Sequence, residues 1–234
     1  SKLQVYKGLK LEAVETVEPG DIAILSGVDE ISIGDTICTA EAPTALPRIK
    51  VDEPTVSMRF VPNNSPLVGK EGRIVQGRKI LERLRKEALR NVALRVEIDS
   101  ESDGFIVKGR GEFQMAIIIE TMRREGFEFC VGRPEVIFKN DEHGRKTEPI
   151  EKLIVDIDQD YSSIVTEALL QRKGILMNII NHHTGRIHLE FSVPSRALIG
   201  YRDIFLTDTK GTGIMNAYVI GYESYRGDFP ARKT

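Results

Sequence analysis

The chain has 234 residues, too many for one ordinary mixed domain and enough for two or three compact modules. Its 41% hydrophobic and 29% charged residues are globular proportions, and no apolar run approaches the ~18–20 residues of a membrane-crossing helix. A net charge of −2 conceals an asymmetry: residues 1–53 carry five Lys/Arg against ten Asp/Glu, whereas residues 54–138 carry fifteen against twelve, so the middle of the chain is the part suited to an anionic partner.

The first stretch reads as the end of a β-barrel. Leu9, Leu11 and Ala13 alternate with Lys10 and Glu12. Glu18-Pro19-Gly20-Asp21 is a turn, followed by short strands expected over residues 22–25 and 36–39. Pro43, Pro47 and Pro54 then mark a linker. Residues 55–61 alternate cleanly, with Val56, Met58 and Phe60 facing inward, before a long loop over residues 62–72. Residues 74–90 place Ile80, Leu81, Leu84, Ala88 and Leu89 at helical spacing. Strands follow over 92–98 and 105–108, a second helix over 112–124, and strands over 127–131 and 135–138.

The order β-α-β-β-α-β is that of a ferredoxin-like unit. It is expected again after a short polar connection at 139–147: a strand over 152–157, a helix over 161–173, a hairpin pair over 175–182 and 186–193, a helix over 196–209 and a strand over 214–221. The expected class is α+β, two tandem ferredoxin-like domains preceded by strands of a partial barrel. Cys38 and Cys130 stand alone in different modules, which fits a reducing cytoplasm and suggests two small buried apolar residues.

Enzyme motifs are missing from the sequence. There is no phosphate-cradling G-x-x-x-x-G-K-[ST], since Gly69-Lys70 is followed by Glu71 and lacks the upstream glycine, and no G-x-S-x-G, H-E-x-x-H or C-x-x-C. The spacing from Asp156 to Glu167 imitates a calcium loop, but Tyr161 stands where the sharp turn needs glycine. His182, His183 and His188 lack a nearby carboxylate or thiol to complete a metal set, leaving a hairpin tip that touches RNA or a solvated turn. Lys70, Arg73, Arg78 and Lys79 cluster where the long loop enters its helix, suited to phosphate contact or to a solvated basic face. Gly109-Arg110-Gly111-Glu112 and Pro194-Ser195-Arg196-Ala197-Leu198-Ile199-Gly200 occupy the same slot in the two units, each opening the second helix with an arginine, and Ser195 is a plausible N-cap.

With Pro62-Asn63-Asn64-Ser65-Pro66, Met122-Arg123-Arg124-Glu125-Gly126-Phe127, Arg133-Pro134-Glu135-Val136-Ile137 and the extension to Tyr201-Arg202, these boxes resemble the C-terminal half of the BipA/TypA family of translational GTPases, relatives of elongation factor G and LepA. The resemblance covers essentially the whole chain. It departs at Phe113-Gln114-Met115, where the family commonly has Leu-His-Leu, so a role resting on that histidine does not carry over.

The resemblance implies residues 1–45 as the end of barrel domain II, 46–53 as a linker, 54–138 as domain III, 139–147 as a linker, 148–225 as domain V and 226–234 as the start of a further C-terminal domain. It implies a cytoplasmic, monomeric parent that docks on the 70S ribosome, contacts large-subunit rRNA and ribosomal proteins, and assists ribosome assembly and stress-responsive translation. GTP and Mg would belong to an N-terminal domain outside this chain, leaving no catalytic, cofactor or metal residue within it. Contact candidates are Lys70, Arg73, Arg78, Lys79, Arg110, Arg124, His182, His183, Arg186, Arg196 and Arg202. The alternative is a non-enzymatic RNA- or ligand-binding regulatory protein, since this fold serves many purposes.

Overall fold

The computed structural model describes residues 2–28, 31, 33–48, 53–100, 102–181 and 185–229. The described residues are mixed α/β with three antiparallel sheets, and contacts divide the chain into two units, residues 1–50 and 51–234.

The first unit holds β1 (Lys2–Lys7), β2 (Lys10–Ala13) and β3 (Ala23–Ser26), ordered β2-β1-β3. Gly8, at φ +64°, makes the tight β1–β2 turn. The expected strand at 36–39 does not form. No described strand pairs with it, and its Thr36 hydroxyl instead accepts the Leu46 amide at 3.1 Å. None of the described residues of this unit is buried, so the alternation of Leu9, Leu11 and Ala13 does not translate into a half-buried face.

In the second unit the first half runs β4 (Val56–Pro62), α1 (Gly77–Arg90), β5 (Arg95–Ile98), β6 (Phe105–Gly109), α2 (Glu112–Arg124), β7 (Phe129–Val131) and β8 (Glu135–Val136). Its sheet order is β5-β6-β4-β7, with β8 also on β4. The alternation read along β4 is realised: Phe60 is fully buried, stacked at 5.4 Å on Phe129, over Ile80 and Leu84 of α1 and Met115, Ile118 and Met122 of α2. Burying a side chain of this size is worth about 1.5–3 kcal/mol.

The second half runs β9 (Lys139–Asn140), β10 (Lys146–Asp158), a 3₁₀ turn, α3 (Ser162–Gln171), β11 (Ile175–Asn181), β12 (Arg186–Pro194), α4 (Ser195–Leu198), α5 (Tyr201–Asp208) and β13 (Ile214–Ser224). The sheet order is β11-β12-β10-β13, the same path as in the first half. Leu153, Val155 and Ile157 of β10 and Leu189, Phe191 and Val193 of β12 line one face, packed on Val165, Leu169, Tyr201 and Phe205.

Three expectations are corrected here. The connection 139–147 is a β-hairpin, because β9 pairs with the start of β10 and Asp141 accepts the His143 and Arg145 amides at 2.8 Å. The expected helix over 196–209 is two helices, broken where Gly200 turns left-handed at φ +68°. Cys38 and Cys130 are both exposed, since residues 36–39 lack a sheet and Cys130 sits on the outward side of β7.

Candidate nucleic-acid interface

The long loop between β4 and α1 is organised by a residue the sequence did not single out. Glu128, 8% exposed, directs its carboxylate into the loop. It accepts Asn63 Nδ2 at 2.6 Å and the amides of Gly69, Glu71 and Gly72 at 3.0, 3.0 and 2.9 Å. These donors, the Gly72 amide above all, hold the carboxyl down at about 2 against the opposing effect of burial. Glu128 is presented by the end of α2, where Gly126 at φ +88° lets Phe127 N reach Met122 O and Gly126 N reach Arg123 O, a Schellman stop. Gly72 packs against the same turn so closely that a Cβ there would lie 2.8 Å from Gly126 O. The signal was thin: Glu128 sits between Phe127 and Phe129, in the slot that alternation assigns to solvent.

The loop presents cations and little to neutralise them. Lys70 and Arg73 are exposed and make no ion pair with a described residue. The first turn of α1 carries Arg78 and Lys79 and no acid, the reverse of what the helix macrodipole favours. Arg78 pairs with Glu82 at 3.0 Å but stays 90% exposed, and Lys79 is unpaired among the described residues. An anion at this place would relieve both the side-chain charge and the helix terminus. Lys70 and Arg73 of the loop and Arg78 and Lys79 of the first turn of α1 are all exposed.

The remaining candidates separate. Arg110 and Arg202 are exposed and make no ion pair with a described residue; both line a cleft of about 810 Å³ between the two halves of the second unit. Arg124, 76% exposed, shares Glu120 with Arg123, and the two guanidinium groups hold that carboxyl at about 2. Arg186 pairs with Asp156 at 2.7 Å and Asp158 at 3.4 Å across the β10–β12 ladder. His182 and His183 lie outside the described residues.

Arg196 is corrected most clearly. Its side chain is 14% exposed and binds Glu148, whose side chain is fully buried, while a second nitrogen donates to Gly227 O at 2.6 Å. Tyr225 and Phe229 stack on the guanidinium at 4.6 and 4.7 Å. Glu148 also accepts the Arg226 amide at 2.7 Å. Arg196 thus ties the helix entry to the chain segment after β13 and turns no charge outward. Ser195 makes no side-chain cap.

Residues 145–233 match the model of the elongation factor G C-terminus. Over 225 residues, 95% of this chain, the sequence is 47% identical to the large ribosomal subunit assembly factor BipA of Escherichia coli strain K12. The chain belongs with the BipA proteins. BipA of Salmonella typhimurium is 46% identical over 96% of the chain, and BipA of Bacillus subtilis strain 168 is 42% identical over 95%. The chain spans about 37% of the length of the Escherichia coli BipA it matches.

Proposed function

We propose that this chain is the ribosome-docking portion of a translational GTPase of the BipA type, acting in large-subunit assembly and stress-responsive translation. The observation that carries this is the basic loop held by Glu128, with Lys70, Arg73 and Lys79 unpaired among the described residues, in a chain whose relatives bear the name of a large-subunit assembly factor. The two halves of the second unit are read as ferredoxin-like domains, 54–138 and 148–225, which their shared 2-3-1-4 strand path supports. Residues 1–45 are read as part of a barrel, 46–53 as a connection, the 139–147 hairpin as the joint between the two domains, and 226–234 as the start of a further domain.

In this reading GTP and Mg belong to a part of the parent outside this chain, and the partners are rRNA and ribosomal proteins of a cytoplasmic ribosome met by a monomer. The loop and the first turn of α1 then lie against RNA phosphates, with Arg110 and Arg202 as further contacts. Arg78 and Arg124 contribute only by exchanging their carboxylate partners for phosphate.

Co-sedimentation of the chain with large subunits over a salt series tests this. Binding falls linearly in log K against log salt, and the triple variant K70A/R73A/K79A lowers the slope by about 2–3, at ~0.7–0.9 for each phosphate no longer neutralised. No binding at low salt, or a triple variant with an unchanged slope, overturns the assignment.

A further inference from the structure

The two boxes that open the second helix of each half are distant in sequence, yet they face each other. Gly200 N lies 3.4 Å from Glu112 Oε1, and Arg110–Phe113 and Ser195–Arg202 form opposite walls of the cleft of about 810 Å³. Its floor is largely apolar, with Met58, Ile119 and Met215, and its volume is in the range of clefts that hold a ligand's worth of apolar surface.

One group does not match that lining. Glu151 of β10 stands in the cleft with no cation among the described residues paired to it. Burial holds its carboxyl above the usual range, and the charge of Glu112 adds to this. The Ser195 hydroxyl, 3% exposed, lies near enough to favour the ionised form yet closes no geometrically sound hydrogen bond. The charged groups facing the cleft are Arg110, Glu112, Glu151, Arg202 and Asp203, three acids against two bases, with both arginines exposed and Glu151 part-buried.

We propose that this cleft is a docking site for a polypeptide segment that presents a lysine or arginine between apolar residues. The basic group meets Glu151 and the apolar side chains meet Met58, Ile119 and Met215. The proposal does not depend on the RNA contacts of the basic loop.

The test is an amide chemical-shift titration of the 234-residue chain with acetyl-Leu-Arg-Phe-amide and with the same peptide carrying neutral citrulline for arginine. The arginine peptide should shift the amides of Gly111–Phe113 and Leu198–Arg202, binding roughly tenfold tighter than the citrulline peptide, the worth of one charge-assisted hydrogen bond. E151Q should erase that preference while leaving the spectrum folded, and A116W, at an exposed position on the cleft wall, should block both peptides. Equal affinity of the two peptides, an unchanged preference in E151Q, or shifts confined to other surfaces overturns the proposal. So does free agmatine binding as tightly as the peptide, because the apolar flanks would then contribute nothing.

Discussion

Replacing Arg196 by alanine should destabilise the second unit far more than it disturbs any surface contact. The perturbation leaves the fully buried carboxylate of Glu148 with the Arg226 amide as its remaining described donor, and removes the bond to Gly227 O together with the stacking on Tyr225 and Phe229. Breaking a buried, hydrogen-bonded ion pair from one side costs about 3–5 kcal/mol. With a urea dependence of roughly 2 kcal/mol per molar, that is a midpoint shift of about 2 M. The chain has no tryptophan, so far-UV circular dichroism is the suitable probe. R196K should recover part of the stability, since an ammonium reaches Glu148 but cannot also serve Gly227. R196M/E148Q, which removes both charges, should fall closer to wild type than R196A does. A destabilisation below ~1 kcal/mol in R196A, accompanied by failure to bind ribosomes, would refute the reasoning and return Arg196 to the contact surface.

Glu128 makes the loop acid-sensitive in a defined window. Its folded pKa is lowered to about 2 from 4.5, so its stabilisation is complete above about 4.5 and is lost as pH falls toward 2. The Gly72 amide proton, followed by NMR, should titrate with a midpoint near 2; a midpoint near 4.5 would mean the cage does not persist in solution. Gly72→Ala should cost about 1–3 kcal/mol, because the added methyl meets the backbone of Gly126 and Phe127 and the Cβ of Glu128, which cannot yield, and thermal melting reads this directly. Tyr201→Phe should be neutral or stabilising by up to about 1 kcal/mol, since its buried hydroxyl has no hydrogen-bond partner among the described residues; a destabilisation above that, in the same melts, would reveal a partner.

The contrast between Val56-Met58-Phe60 and Arg196 shows what was legible in the sequence. The alternation along β4 and the spacing of Ile80 and Leu84 report burial within one element, because strand and helix periods repeat over a few residues. The basic character of the loop entry was equally local, and Lys70, Arg73, Arg78 and Lys79 are all exposed. The break at Gly200 was visible only as a glycine, and its left-handed turn depends on how α4 and α5 seat on the sheet. The exposure of Cys38 and Cys130 likewise depends on which strands find partners.

The sequence by itself determined most of the elements of the second unit, the missing phosphate-binding motif and the family to which the boxes point. Tertiary structure decided which arginines are available. Arg73 and Arg196 are the same residue type beside a helix entry, but one faces solvent and the other closes on a buried glutamate 48 positions away. It also decided that Glu128 organises the loop and that Glu112 and Ser195 line one cleft. Charge pairing is set by distance in space, and partners separated by tens of residues are brought within about 3 Å only by the register of the sheets.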